Sequence, residues 1–339
     1  MYLASFRYRD RDALGARLSD SHLIDLAEAA KAYGDGMAAA AAFSDMHAFI
    51  EAGPAAQRQA ERLLSVYRNA PDKVAAIPLT EITWHPPVRR PGKICCIALN
   101  NSASDSRRIS GPNHPMFFLK PRSCLVGHEQ DIVVRPHYGG LHPEPELAVV
   151  VGRTAKDLDP RSALDAVFGY SIINDITGNE MRAQDRVHYY ALYASKENPD
   201  QVERREQHLS YTARYKGSDT FGPMGPWLAT RDEVSDPHAL DVTCSVAGVL
   251  LAEDSTRYLT YSVSEVLAYI SRYHTLEPGD VIAMGTAFRP SAQSRRSLHT
   301  GDLSRMDGPV EVTITGLGTL RNGVRRVVDD PGDWRLPKA

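Results

Sequence analysis

From Lys93 onward the chain is cut into short apolar runs separated by Gly, Pro and Asp, and this punctuation excludes most architectures. Ile94 to Leu99, Met116 to Leu119, Ile132 to Val134, Leu147 to Val151 and Tyr170 to Ile173 have strand length and composition. Asp241 to Ala247, Val281 to Met284 and Val310 to Ile314 continue the series. Only Ser162 to Phe168 and Ser264 to Tyr273 carry short helical patterns there. Strands without regularly interposed helices predict an α+β, mixed β fold rather than a βαβ repeat. No GxGxxG follows a strand and no GxxxxGK[ST] occurs, which removes the commonest nucleotide-binding folds.

Residues 1–88 have a different texture and predict a small α/β domain of their own. Leu3 to Tyr8 and Leu23 to Leu26 are strand-like. The chain then turns helical, and Ala56, Ala60, Leu63 and Tyr67 fall on one stripe that suits a core face. A proline-rich passage from Pro78 to Gly92 reads as the linker into a catalytic domain over 89–330, because proline interrupts helices and sheet ladders alike.

The 339 residues carry a formal charge of -3, so no global field recruits nucleic acid or an anionic membrane. The Arg89-Arg90, Arg107-Arg108, Arg204-Arg205 and Arg295-Arg296 pairs are short and fit solvated loops. No apolar run reaches spanning length and the start lacks the pattern of a secretory leader, which makes the cytoplasm the default expectation. Cys95, Cys96, Cys124 and Cys244 show no zinc-ligand spacing and are expected to be reduced packing residues.

The chemistry concentrates in three carboxylates. Glu144 and Glu146 precede and open the apolar run ending at Val151, and Asp175 closes the run from Tyr170. With a strand period of two, the glutamates point the same way from the strand mouth, at a spacing suited to sharing one ion. Three partly buried carboxylates need protons or a cation, and a hard ion such as Mg²⁺ or Mn²⁺ takes oxygen ligands. The stretch from Met181 to Tyr211 begins shortly afterwards and carries charge and aromatic residues, which suits a flap, a subunit contact or a surface insertion.

Together with Pro91-Gly92-Lys93-Ile94, Leu99-Asn100, the passage from Lys216 to Leu228 and Leu276 to Thr286, the trio resembles the fumarylacetoacetate hydrolase superfamily over roughly residues 91–322. The resemblance implies a β-roll catalytic domain, a homodimer or higher oligomer, and metal ligation by Glu144, Glu146 and Asp175. It further implies that Lys216 is the active-site lysine and that Gly285 and Thr286 hold the substrate carboxylate. A 2-oxo or 2,4-dioxo acid is the implied substrate, because its carboxylate and keto oxygens chelate the ion while an enolate forms.

The pattern departs from the hydrolytic members at one place. Where they carry a histidine and a glutamate three residues later, this chain has Ser104 and Arg107, with Asp105 one residue from register. The chain is therefore expected to be a divergent member lacking the usual His-Glu pair, with His142 or His188 as substitute bases. Changes after Asp175 and Thr286 suggest a second carboxylate or ring on the substrate, engaged by Arg182, Arg289 or the flap tyrosines. Hydrolytic C–C cleavage in aromatic or related catabolism is the first functional expectation. The alternative is a non-hydrolytic decarboxylase, hydratase or keto–enol isomerase, and the third a catalytically silent metal-binding homolog.

Overall fold

The computed structural model describes residues 1–34, 41–101, 108–286, 300–329 and 332. Its first strands are β1 (Tyr2–Tyr8), β2 (Arg11–Arg17), β3 (His22–Asp25), β4 (Ile77–Pro78) and β5 (Thr83–Trp84). Next come β6 (Ile94–Ala98), β7 (Met116–Lys120), β8 (Leu125–Val126), β9 (Ile132–Val134), β10 (Leu141–His142), β11 (Pro145–Val151) and β12 (Val167–Asn174). β13 (Thr177–Gly178), β14 (Arg186–Ala194), β15 (Val202–Ser210), β16 (Gly222–Thr230), β17 (Asp241–Val246) and β18 (Val249–Ser255) follow. The last are β19 (Val281–Ala283), β20 (Val310–Ile314), β21 (Gly318–Asn322) and β22 (Val324–Arg326).

The largest sheet among the described residues has 12 strands and runs β4-β3-β2-β1-β16-β12-β11-β19-β6-β7, with β5 on β1 and β8 on β16. A four-stranded sheet, β18-β17-β20-β21, stands beside it. This mixed α/β architecture is the expected fold class. The central strands β11, β12 and β16 are buried along their whole length, which is why β11 and β12 read as continuous apolar runs rather than alternating ones.

Residues 1–88 and 89–330 meet inside this framework. Tyr2 and Leu3 of β1 pair with Ala229 and Leu228 of β16, and Leu3 and Leu14 belong to the same buried cluster as Val149 and Ile282. The helix Met46–Asn69 buries Phe49, Ile50, Ala56, Ala60 and Leu63 against that cluster, while Tyr67 packs on its margin. Its kink falls at Gly53, where φ is 64°, followed by Pro54. A second amphipathic helix, Val263–Tyr273, starts with a capping box between Ser262 and Glu265.

Two local expectations change. Ser162 to Phe168 is not a helix: Ala163–Ala166 makes one 3-10 turn, and Val167 and Phe168 already belong to β12. A seven-residue run ending in a β-branched and an aromatic residue gains more from the sheet than from two marginal helical turns. The stretch from Met181 to Tyr211 completes the helix Asn179–Gln184 and then forms the β14–β15 hairpin, whose strands pair only with each other among the described residues. Its base is clamped where Arg214 Nη2 lies 2.8 Å from Asp185 Oδ1 and the Tyr211 amide donates to the Asp185 carbonyl at 3.3 Å.

Candidate active site

Four strand ends converge. β11 and β12 pair from Pro145 opposite Asn174, so the chain entering one strand and the chain leaving the other run side by side. The Asp175 amide donates to the Glu144 carbonyl at 2.9 Å, and the Glu144 amide donates to Asn174 Oδ1 at 2.9 Å. On the other flank β19 pairs with β11, Ala283 opposite Ala148, which delivers Met284, Gly285 and Thr286 beside Glu146. β6 lies parallel to β19, so Asn100 and Asn101 follow at the same edge. Asn100 Nδ2 donates to the Met284 carbonyl at 2.8 Å and Asn101 Nδ2 to the Thr286 carbonyl at 2.9 Å.

The three carboxylates are brought together as the sequence anticipates. One oxygen each of Glu144, Glu146 and Asp175 lies within 4.8 Å of the others. Glu146 and Asp175 are buried and Glu144 is half-buried. Lys216, on the short helix Ala213–Gly217, places Nζ 2.5 Å from Asp175 Oδ2 and 3.1 Å from Glu144 Oε2. Gly285 donates its amide to Glu146 Oε2 at 2.8 Å. The geometry at Gly285 requires glycine: φ is 87°, and a Cβ there would stand 3.0 Å from both Asn100 Cβ and the Ile97 carbonyl oxygen.

Lys120 belongs to this site although it was not singled out in the sequence. Its buried ammonium lies 2.6 Å from Asp175 Oδ1 and donates to the carbonyls of Phe221, at 2.6 Å, and Lys216. Its only local mark is that it closes the apolar run Met116-Phe117-Phe118-Leu119, a place where a lysine is ordinarily solvated. Thr177 was also unmarked; its hydroxyl donates to Glu144 Oε1 at 2.9 Å.

Electrostatics sort these groups. Burial raises the Glu146 carboxyl well above the usual range, and the Asp175 and Glu144 charges push it further. Burial acts the same way on Glu144, but Lys216 and the His142 hydrogen bond overcome it and hold that carboxyl low. For Lys216, burial alone would favour the neutral amine, yet Asp175, Glu144 and Glu146 reverse this and raise its pKa, so it stays an ammonium. Three carboxylates face two ammonium groups, and Asp175 Oδ1 accepts no aligned hydrogen bond despite the nearby Lys120 charge. Three oxygen-only donors within 4.8 Å of one another fit a hard divalent cation, which would also relieve the repulsion that raises Glu146.

The other residues fall into two groups. Buried His142 sets Nε2 3.0 Å from Glu144 Oε1, while Asn179 Nδ2 lies 2.9 Å from its Nδ1. An amide nitrogen donates, so the partners assign the Nε2–H tautomer, in which the ring orients Glu144. Thr286 is buried, and its hydroxyl has no hydrogen-bond partner among the described residues. His188 is instead on the hairpin, next to Glu206 and His208, and Arg182 is exposed on the helix Asn179–Gln184, lining a cavity with Arg186 and Ser210. Arg289 lies outside the described residues, as do Ser104, Asp105 and Arg107.

The expectation of a divergent member lacking its His-Glu pair does not stand. Among the described residues two groupings bring donor atoms close enough to hold a metal ion, Glu144/Glu146/Asp175 and His188/Glu206/His208, and His142 is paired with Glu144. The turn before β11 and the hairpin supply these groups, rather than the segment around residue 104 on which that expectation rested. All four cysteines are buried and free. No helix among the described residues is long and apolar enough to cross a membrane.

Comparison with known proteins places the site in context. Oxaloacetate tautomerase FAHD2B, mitochondrial, from Bos taurus is 30% identical over 230 residues, covering 67% of this chain and 66% of that protein. Oxaloacetate tautomerase FAHD2A, mitochondrial, from Homo sapiens is 30% identical with the same coverage, so the match spans just under two thirds of these relatives' length. The crystal structure of maleylpyruvate hydrolase from Sphingobium sp. SYK-6 in complex with manganese (II) ion and pyruvate superposes with a TM-score of 0.65 at 27% identity, covering 96% of this chain and 99% of that one. The mitochondrial names of the two tautomerases overturn the cytoplasm as a default expectation, which rested on the lack of a secretory leader pattern and of a spanning apolar run. Residues 93–325 match the family described as Fumarylacetoacetate (FAA) hydrolase C-terminal, and with the sheet and the carboxylate site in agreement, the chain belongs to that family.

Proposed function

We propose that the chain is a divalent-metal-dependent tautomerase that interconverts the keto and enol forms of a small 2-oxo dicarboxylic acid such as oxaloacetate. The observation that carries this is Lys216, fixed as an ammonium between Asp175 and Glu144 at the edge of the carboxylate cluster. Enolisation develops negative charge on the keto oxygen, and a preorganised cation stabilises that charge more than it does the neutral ketone. Glu144, Glu146 and Asp175 would hold Mg²⁺ or Mn²⁺, which when bound supplies Lewis-acid polarisation of the chelating oxo acid.

Each remaining residue has a definite task in this scheme. Lys120 contacts Asp175 Oδ1 while Lys216 contacts Oδ2, so the two lysines fix the orientation of that carboxylate. His142 and Thr177 fix the orientation of Glu144. The unpartnered Thr286 hydroxyl, with Gly285 beside it, is the group proposed to receive a substrate carboxylate oxygen. Arg182 and Arg289 are retained as candidates for a second carboxylate. The division into 1–88 and 89–330 and a homodimer complete the proposal.

The similarity to oxaloacetate tautomerases supports the reaction type, and the similarity to a maleylpyruvate hydrolase supports the second reading, hydrolytic C–C cleavage of a 2,4-dioxo acid in aromatic catabolism. The two separate by product. Protein loaded with Mg²⁺ or Mn²⁺ is mixed with oxaloacetate or acylpyruvates while enol absorbance and product mass are followed. Faster equilibration of the enol absorbance at unchanged mass is the expected result. Two acid products would establish the hydrolase, and release of CO₂ a decarboxylase. Light scattering tests the homodimer.

A further inference from the structure

We propose that His188, His208 and Glu206 form a second metal site, on the β14–β15 hairpin, selective for a borderline transition ion of the Zn²⁺ class. His188 stands directly opposite His208 in the hairpin register, and Glu206, two residues before His208, projects from the same face. Directly opposed residues bring their Cβ atoms to about 5 Å, and a diagonal neighbour remains within reach of a long side chain. The result is a triangle of donors within 4.8 Å of one another. The two imidazoles stack with centroids 4.0 Å apart and planes 12° from parallel, and Glu206 Oε1 lies 2.5 Å from His188 Nε2.

An exposed His–Glu ion pair contributes little by itself and gives His208 no reason to share the arrangement. Three convergent donors are what a four-coordinate ion takes from a protein while leaving one position to water. All three side chains are exposed, so modest rotamer changes close the triangle and solvent completes the shell. The donor chemistry also differs from that of the central site. Two imidazoles with one carboxylate suit Zn²⁺, Ni²⁺ or Cu²⁺, whereas three carboxylates suit Mg²⁺ or Mn²⁺. One chain thus carries two sites that different ions fill.

A bound ion would also act on the hairpin itself. β14 and β15 pair with no other strand among the described residues, and an isolated two-stranded ribbon is marginally stable in water. A chelate with one histidine on each strand ties the ribbon across its width.

The test is calorimetric titration of Zn²⁺ into the full-length protein held in excess Mg²⁺ at pH 7.5, paired with hydrogen exchange of residues 186–210. The wild type should take up one saturable equivalent and show slower exchange in the hairpin. His188→Ala and His208→Ala should each weaken that equivalent at least about tenfold, the loss that even indirect disruption of metal ligands produces. The double variant should lose both the equivalent and the exchange effect, while Glu146→Gln keeps them. Absence of any equivalent, its survival in the double variant, or its loss in Glu146→Gln alone would each overturn the proposal.

Discussion

Lys120 Nζ stands 2.6 Å from Asp175 Oδ1 with both side chains closed to solvent, while Lys216 holds the other oxygen of the same carboxylate at 2.5 Å. Asp175 is therefore bracketed by two cations from different elements. One lies at the end of β7 and the other on the helix after the hairpin. Lys120→Met removes one of them and strands two carbonyl oxygens. Breaking a buried pair from one side costs about 3 kcal/mol. Urea denaturation should show that loss as a lowered midpoint with an unchanged slope.

Lys216→Gln should separate binding from catalysis. The amide keeps much of the side chain's length and polarity but not its charge, so a group that stabilises developing negative charge is lost while the carboxylates remain. Removing one preorganised stabiliser of this kind lowers kcat about 100-fold or more. Mn²⁺ affinity, measured by calorimetry, should be unchanged or tighter because a competing cation has gone. Equal loss of kcat and metal binding would show that Lys216 acts only by building the site.

Gly285→Ala should perturb Glu146 without touching it. At the left-handed φ of 87° an alanine is strained, and its methyl group, 3.0 Å from Asn100 Cβ and the Ile97 carbonyl, makes these neighbours give way by a few tenths of an ångström. Strain of about 1–2 kcal/mol is expected. Thermal unfolding should report the lower Tm, and the apparent Mn²⁺ affinity should fall because the amide that steadies Glu146 shifts.

The thiols should be silent in the native state. Burial pushes the Cys95 thiol up to about 12 and the Cys124 thiol up to about 11, and raises Cys96 well above its ordinary value. Cys244 is buried as well. The thiolate is the reactive form, so a disulfide reagent at pH 8 should label none of the four within minutes. All four should react after unfolding in guanidinium chloride. Rapid native labelling would contradict the buried placement.

The legible parts of the fold were those in which local pattern and tertiary environment agree. The apolar runs of β6, β7, β11 and β12 and the Glu144, Glu146, Asp175 and Lys216 set were visible because strand burial and the ordered motifs leave strong local marks. β16 was not read as a strand, since Pro223 and Pro226 argue against a central position. The structure accommodates them in a strand whose pairing with β12 shifts between Tyr170 and Ile172, a long-range adjustment that no local pattern records. Lys120 was missed for the same reason. Its partner is 55 residues away in sequence, and a lysine at a strand end is ordinarily solvated. The His188, Glu206 and His208 grouping depends on the hairpin register, which the intervening turn and its pairing set together.

The hairpin joins the rest of the protein through two roots that lead to one carboxylate. On one side Asn179 holds His142, which holds Glu144; on the other Lys216 reaches Glu144 directly, and the Asp185–Arg214 clamp closes the neck between them. The protruding ribbon is thereby tied at its base to the carboxylate cluster. Anything that grips the ribbon therefore pulls on both roots at once, so its anchorage and the aim of Glu144 are mechanically linked.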